Sequence, residues 1–299
     1  MGTQTYDRCY FCTNIVEFDM NLLKKCARKI KTKLLYIKQR IILLCLSLIK
    51  KTIIIKTQNK ILESKKDAPF VHRSKNLVIN IEYPGLGDHL FYSHLPRIAK
   101  ETKKYDHVYV SQKSNFRNPD TKKLIWDMHP CVDGVSNEKP KTISHFTKLS
   151  HNMNLLDKIM LDFELDDGKR FHEPEIHIKP KVIPFLKDKI VYDPNYISLV
   201  GKLRSKSIQK FLDTEKIQID YQMSPRNNTI PIFNFKNFLK TESLVDFCSV
   251  IVSCKKLICM TTGTATLAAA LGKPAIVLYS DDVNTMFHHS KLHTYIHIK

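Results

Sequence analysis

Two short turns contain the residues whose types and spacing are best suited to chemistry. The first, Gly85-Leu86-Gly87-Asp88, lies between an apolar run over 76–81 and a stretch with helical spacing over 89–102. Its glycines allow a sharp turn and the close approach of a ligand. A carboxylate at a helix start can cap free N–H groups. Asp88 is therefore either a plain helix cap or a side chain that faces the cleft where open α/β sheets bind ligands.

The second turn, Thr261-Thr262-Gly263-Thr264, separates a short apolar run over 256–260 from an alanine-rich helix that stops at Gly272. The first turn of a helix has unpaired N–H groups, and with threonine hydroxyls beside them it is a good seat for a phosphate. A threonine-capped helix in an ordinary parallel sheet would show the same pattern. The two motifs contain four of the chain's 8 glycines, which favours two turns that face a shared cleft.

The elements around these turns alternate between strands and helices. Short apolar runs typical of strands lie at 76–81, 107–111, 189–192, 229–233, 256–260 and 275–279. Helical spacing follows at 89–102, 122–128 and 243–254. Residues 151–185 contain several prolines and few periodic runs, which suits a connection between two halves. The pattern predicts an α/β fold with one unit over 75–185 and a second over 187–299.

The segment before this body, residues 1–70, has a different character. Residues 21–60 contain 12 Lys or Arg and no Asp or Glu, and their apolar residues recur at steps of three and four, as on one face of a helix. The densest apolar piece, 41–49, is too short for a hydrocarbon core of about 30 Å. We expect this basic amphipathic helix to lie on an anionic membrane surface. Packing on the body or on a partner, and a disordered leader, are the alternatives.

Composition narrows the classes of function. The 48 basic and 29 acidic residues give a net charge of +19, and 17 of the basic residues lie within 1–75. Lysine dominates and no nucleic-acid reader motif occurs, so we expect no nucleic-acid partner. The 8 cysteines lack the spacing of a disulfide scaffold, which favours a reduced, cytosolic compartment. The first long apolar run begins at residue 41, so we expect no signal peptide.

Three sequence blocks resemble the heptosyltransferase-type glycosyltransferases of family 9. The two glycine motifs read GLGDHLFYSHLPRIAKE over 85–101 and CMTTGTATLAAALGKPAIVLYS over 259–280. Between them, LIWDMHPCVDG over 124–134 is similar to the family's segment that ends in Pro-x-Val-Asp. The resemblance covers roughly residues 75–290. It implies a GT-B fold, in which two Rossmann-like domains face each other across a cleft, here preceded by the basic amphipathic segment.

The resemblance also implies an activity, which is inverting, metal-independent transfer of a sugar from a nucleotide-sugar. The domain over 75–185 would bind the acceptor and the domain over 187–299 the donor. Asp88 matches the family's candidate general base, and Gly85, Gly87 and His89 complete the acceptor-side turn. The donor's diphosphate and sugar would be held by Thr261, Thr262, Gly263 and Thr264. His288, His289 and Lys202 are further candidates for the cleft, and we expect no metal or other cofactor.

Two features depart from the family. Thr261 stands where the family has an aspartate, which removes a carboxylate that could bind sugar hydroxyls. A clear basic loop after the first strand of the second half is missing, and Lys202, Arg204 and Lys206 are the nearest cations in sequence.

The sequence as a whole predicts a cytosolic glycosyltransferase, peripherally bound to the inner face of the membrane, that acts on a lipid-linked or lipopolysaccharide-core acceptor. A non-catalytic nucleotide-binding or scaffold relative, and a GT-B nucleotide-sugar epimerase, are the alternatives.

Overall fold

The computed structural model describes residues 75–141, 152–197, 200–226, 228–283 and 287–299. The predicted basic helix over 21–60 lies outside these residues. Residues Arg73–Lys299 form one compact unit, to which all elements below belong. Within the described ranges, no helix is both long enough and apolar enough to span a bilayer.

Two parallel sheets form the framework of this unit. The first sheet has the order β1-β2-β3, with β1 at Asn76–Ile79, β2 at His107–Ser111 and β3 at Gly134–Ser136. The second sheet has the order β11-β10-β9-β4-β6-β8. Its strands are β4 Ile190–Tyr192, β6 Tyr221–Met223, β8 Phe238–Leu239, β9 Lys256–Met260, β10 Ala275–Tyr279 and β11 Thr294–His297. A small antiparallel pair joins β5, Asn195–Tyr196, to β7, Asn228–Thr229.

Helices connect the strands. The α-helices are α1 Leu86–Leu90, α2 Leu95–Glu101, α3 Pro119–Lys122, α4 Leu155–Asp162, α5 Ser205–Thr214, α6 Leu244–Ser253 and α7 Gly263–Ala270. A π-helical turn, Lys123–Asp127, continues α3, and a 3₁₀ turn, Pro184–Leu186, precedes β4. In sequence, this 3₁₀ turn lies between the strands of the first sheet and those of the second, near the predicted division at residue 186, which stays a prediction because residues 73–299 form one unit.

Both faces of the six-stranded sheet are covered, as parallel sheets require. Side chains alternate along β9, so that Leu257 and Cys259 belong to one apolar cluster while Ile258 and Met260 belong to another. The first cluster also contains residues of β1 and β2, such as Leu77 and Val110. One core therefore joins both sheets and fixes the loops that follow their strands.

The predicted helix over 89–102 is wrong in its bounds, since the chain forms α1 and α2 with a turn between them. Pro96 is in the first turn of α2, where its missing N–H is tolerated, and it could not continue a preceding helix. Of the predicted strand over 229–233, only Thr229 lies in a strand, at the end of the two-residue β7. The proline-rich connection over 151–185 contains α4, which Asn154 caps by accepting a hydrogen bond from the Asp157 N–H at 3.0 Å.

Candidate functional site

The two glycine turns lie against each other. A Cβ atom built on Gly263 would lie 3.0 Å from the Gly87 nitrogen, and one built on Gly87 would lie 3.2 Å from the Gly263 Cα. A side chain at either position would have to push the facing backbone away by a few tenths of an ångström, which glycine avoids. The helices α1 and α7 that start at these turns are consequently in contact. The predicted shared cleft is thus bounded by two turns that touch at its base.

A cavity of about 250 Å³ opens above this contact. Its polar wall includes Asp88, Arg117, Asp193, Arg226 and residues 261–264. Its apolar wall includes Phe91, Leu155, Tyr196, Leu244 and Phe247. A cavity with a few polar groups placed among apolar side chains is the usual form of a small-molecule site.

Asp88 is the carboxylate on the first turn. It is the third residue of α1 rather than the cap itself, and its Oδ2 accepts a hydrogen bond from the Gly85 N–H at 3.2 Å. Burial raises the pKa of Asp88, while the Gly85 N–H and the nearby charge of Arg117 oppose the rise. A carboxylate with a raised pKa binds a proton more readily, which suits a general base.

The second turn presents the N-terminus of α7. Thr262 is the N-cap, and its Oγ1 accepts a hydrogen bond from the Thr264 N–H at 3.3 Å. The Ala265 N–H donates to the Thr262 carbonyl at 3.0 Å, so that among the described residues the Gly263 N–H is the one at this end with no hydrogen bond. Because Thr261, Thr262, Gly263 and Thr264 all line the cavity, the positive end of the helix dipole faces it.

A carboxylate that the motifs did not indicate, Asp193, lies beside this turn. It follows β4 directly, and its Oδ2 accepts a hydrogen bond from the Thr264 hydroxyl at 2.6 Å. Its Oδ1 accepts from the Asn195 side-chain amide at 2.7 Å. Burial raises the pKa of Asp193, against the effect of these hydrogen bonds. Asp193 could have been found from the sequence because it is a polar residue at the carboxyl end of a predicted strand, where open α/β sheets bind ligands.

His89 does not reach the cavity. Its side chain is fully buried, its Nδ1 accepts a hydrogen bond from the Trp126 indole at 3.0 Å, and its Nε2 donates to the Asn115 carbonyl at 2.8 Å. The ring stacks on Phe116 at 4.4 Å. Burial lowers the pKa of His89 to about 4, so the ring is neutral near pH 7. These contacts make His89 a core residue that supports α1 from behind.

The three remaining predicted residues, His288, His289 and Lys202, differ in whether they line the cavity. His289 is 2% exposed and lines the cavity. His288 instead stacks on Tyr295 at 4.2 Å, outside the cavity lining. Lys202 is 79% exposed and pairs with Asp282 at 3.4 Å, also outside the lining. The structure thus brings only His289 of these three to the site.

One group of side chains has the composition of a metal site. His129, Glu175 and His177 place possible ligand atoms within 4.8 Å of one another, away from the cavity. Both ring nitrogens of His129 are engaged by the backbone, Nε2 with the Ser93 carbonyl at 3.0 Å and Nδ1 with an amide. Glu175 forms an ion pair with Arg97 at 2.8 Å. These contacts describe a hydrogen-bonded cluster with no free histidine lone pair at His129.

The comparisons with known proteins concern the fold. No family model and no curated protein matches the sequence. Among solved structures, TibC, an iron-containing dodecameric glycosyltransferase of enterotoxigenic E. coli, superposes with a TM-score of 0.51 at 12% identity, over 74% of this chain and 62% of TibC. The family 9 glycosyl transferase of Veillonella parvula gives 0.49 at 12% identity, over 75% of this chain and 85% of its own. E. coli ADP-heptose lipopolysaccharide heptosyltransferase II superposes with a TM-score of 0.47 at 14% identity, over 74% of this chain and 90% of that enzyme.

The parallel sheets, the cavity between their loops and the likeness to TibC define a GT-B-like glycosyltransferase fold. Within that class, the fold is similar to that of TibC, which is described as a heptosyltransferase in its complex with ADP-D-β-D-heptose (TM-score 0.51, 10% identity). The fold that the sequence motifs predicted is confirmed.

Proposed function

We propose that this protein is a glycosyltransferase that moves a sugar from a nucleotide-sugar to a lipid-linked or lipopolysaccharide-core acceptor. One observation carries the proposal. The Asp88 carboxylate and the N-terminal turn of α7 line the same cavity, and the contact of Gly87 with Gly263 fixes their separation. Sugar transfer requires a base for the acceptor and a positive field for the leaving group, and these two features supply both.

The reaction follows from this placement. Asp88 takes the proton of an acceptor hydroxyl as the oxygen attacks the anomeric carbon of the donor sugar. The bond from that carbon to the β-phosphate oxygen breaks, and its electron pair stays on the departing nucleoside diphosphate. Attack opposite the leaving group inverts the anomeric centre. The positive end of α7, through its dipole and the Gly263 N–H, stabilises the charge that develops on the diphosphate, a step that needs no metal ion.

The donor class can be tested directly. TibC was solved in complex with ADP-D-β-D-heptose, so ADP-sugars are the first donors to examine. Thr261 places a hydroxyl and no carboxylate on the cavity wall, so ADP-linked or other nucleotide-linked hexoses are equal candidates to a heptose. Ligand-observed NMR of the full chain with ADP-, GDP-, UDP- and CMP-sugars, and with the free nucleotides, should show selective binding of one nucleotide. Failure of every nucleotide to bind would refute the proposal.

Activity should depend on pH through Asp88. The base must be ionised, and burial raises its pKa above the ordinary value for an aspartate. We therefore expect kcat/KM to be low in acid, to rise as the pH passes through this raised pKa, and then to level off. The midpoint of this rise is measured from the pH dependence of kcat/KM, with release of nucleoside diphosphate as the readout. A midpoint at or below the pKa of an ordinary exposed aspartate would contradict the assignment of Asp88 as the general base.

The acceptor proposal requires access to a membrane, which residues 21–60 would provide at the inner face of the cytoplasmic membrane. We expect the full chain to float with vesicles that contain anionic lipid, because each lysine near an anionic surface contributes about 1 kcal/mol. With vesicles of neutral lipid alone, we expect it to stay unbound at the bottom of the gradient. Replacing Lys31, Lys33, Lys38 and Arg40 by glutamine, or deleting residues 1–70, should abolish flotation. Equal flotation of these variants would mean that the segment serves another purpose.

A further inference from the structure

The donor cavity contains a cation that no sequence motif indicated. Arg226 follows β6, and its guanidinium carbon lies 4.6 Å from the centre of the Phe247 ring on α6. Both residues line the cavity. The Nη2 atom donates a hydrogen bond to the Thr241 hydroxyl at 2.6 Å. An aromatic face below and a hydroxyl at one end hold the planar group in a defined orientation.

Most of the hydrogen-bonding capacity of Arg226 is unused. A guanidinium has five N–H donors, and the hydrogen bond to Thr241 is the one that Arg226 forms through its side chain with the residues described. No described carboxylate lies within 4.0 Å of it. Arg97 and Arg170, by contrast, form ion pairs with Glu175 and Asp166. A cation with free donors at a cavity wall is suited to an anionic ligand.

A chain of hydrogen bonds ties this arginine to the start of α7. The Arg226 N–H donates to Asn195 Oδ1 at 2.7 Å, and the Asn195 amide donates to Asp193 at 2.7 Å. Asp193 in turn accepts from the Thr264 hydroxyl at 2.6 Å. The arginine and the N-terminal turn of α7, which includes the free Gly263 N–H, are therefore fixed relative to each other on one wall of the cavity.

We propose that Arg226 binds the diphosphate of the donor, together with the N-terminal turn of α7, and so replaces the basic loop that the sequence lacks after β4. The planar fork of a guanidinium matches two phosphate oxygens, which a lysine cannot do. This inference rests on the proposed function and adds the residue that neutralises the leaving group. Its ligand class is a nucleoside diphosphate, free or joined to a sugar.

The test compares Arg226→Gln and Arg226→Lys with Arg204→Gln, which removes an exposed arginine outside the cavity lining. Titration calorimetry of the full chain with ADP, GDP, UDP and CDP identifies the nucleotide that the wild type binds. We expect Arg226→Gln to weaken binding of that diphosphate about 10- to 100-fold, and Arg226→Lys to recover only part of the loss. Arg204→Gln should bind like the wild type.

The outcomes separate this inference from the proposed function. Unchanged diphosphate affinity in Arg226→Gln, with a wild type that does bind, would overturn the role of Arg226 alone. A wild type that binds none of the four nucleotides would overturn both. Thermal denaturation shows whether each variant folds. If Arg226→Gln does not fold, the affinity of Arg226→Lys, which keeps a cation against Phe247, tests the role of Arg226 instead. Equal affinity in that variant and the wild type would contradict bidentate recognition.

Discussion

Replacement of Asp88 by asparagine should lower kcat about 10²- to 10⁴-fold, the usual contribution of a general base. The amide oxygen can still accept the hydrogen bond that the Gly85 N–H donates at 3.2 Å, so the turn should keep its shape. Asparagine cannot take a proton from an acceptor hydroxyl. The donor contacts proposed for α7 and Arg226 do not involve Asp88, so donor affinity should stay within about twofold. Release of nucleoside diphosphate and calorimetric titration with the donor measure the two quantities.

Glu82→Gln is the matched control for this variant. It removes an exposed carboxylate that lies near the same turn and outside the cavity lining. Its kcat should equal that of the wild type. If Asp88→Asn turned over donor and acceptor at the wild-type rate, Asp88 would serve only to accept the hydrogen bond from the Gly85 N–H. The general base would then be another residue.

Gly263→Ala should reduce both stability and activity, because the atom that a methyl group there meets most closely is the Gly87 backbone nitrogen. Its Cβ would lie 3.0 Å from the Gly87 nitrogen and 3.4 Å from the Leu86 Cβ. Forcing these two turns apart should lower the free energy of unfolding by about 1–3 kcal/mol. It should also separate Asp88 from α7 and slow transfer. Denaturant unfolding and a transfer assay of the same preparation measure the two effects.

Gly85→Ala provides a contrast within the same motif. A Cβ at Gly85 would lie 2.5 Å from Asp88 Oδ2, at the end of a side chain that can move. We expect nearly unchanged stability and a fall in kcat of about 10- to 100-fold, because the carboxylate is displaced from its position. If both alanine variants lost stability equally, or if Gly263→Ala were as stable as the wild type, the contact between the turns would not have the role described here.

Buried apolar runs made much of the framework predictable from sequence. The strands at 107–111, 256–260 and 275–279 have the predicted bounds, since each is enclosed on both sides and contains mostly apolar residues. Helix ends were less predictable. Pro96 divides a continuous helical pattern because proline cannot donate the hydrogen bond that an uninterrupted helix needs.

Residues of the site were predictable only where they belong to a turn with its own signature. Asp88 and residues 261–264 do, and the structure places them in one cavity. Arg226 comes from a loop between β6 and β7 with no recognisable spacing, and it reaches the cavity through its contacts with Phe247 and Asn195. His89 shows the converse, because its neighbours in the turn face the cavity while its own ring pairs with Trp126 in the core.

The most direct measurement is incubation of the full chain with the nucleotide-sugar that binds and with a pool of lipopolysaccharide-core and lipid-linked glycans, followed by mass spectrometry. The account predicts that one acceptor gains the mass of a single sugar residue, with release of one nucleoside diphosphate for each sugar transferred. A protein that binds the nucleotide-sugar and yields neither product would contradict it, and would be a nucleotide-binding relative without transferase activity.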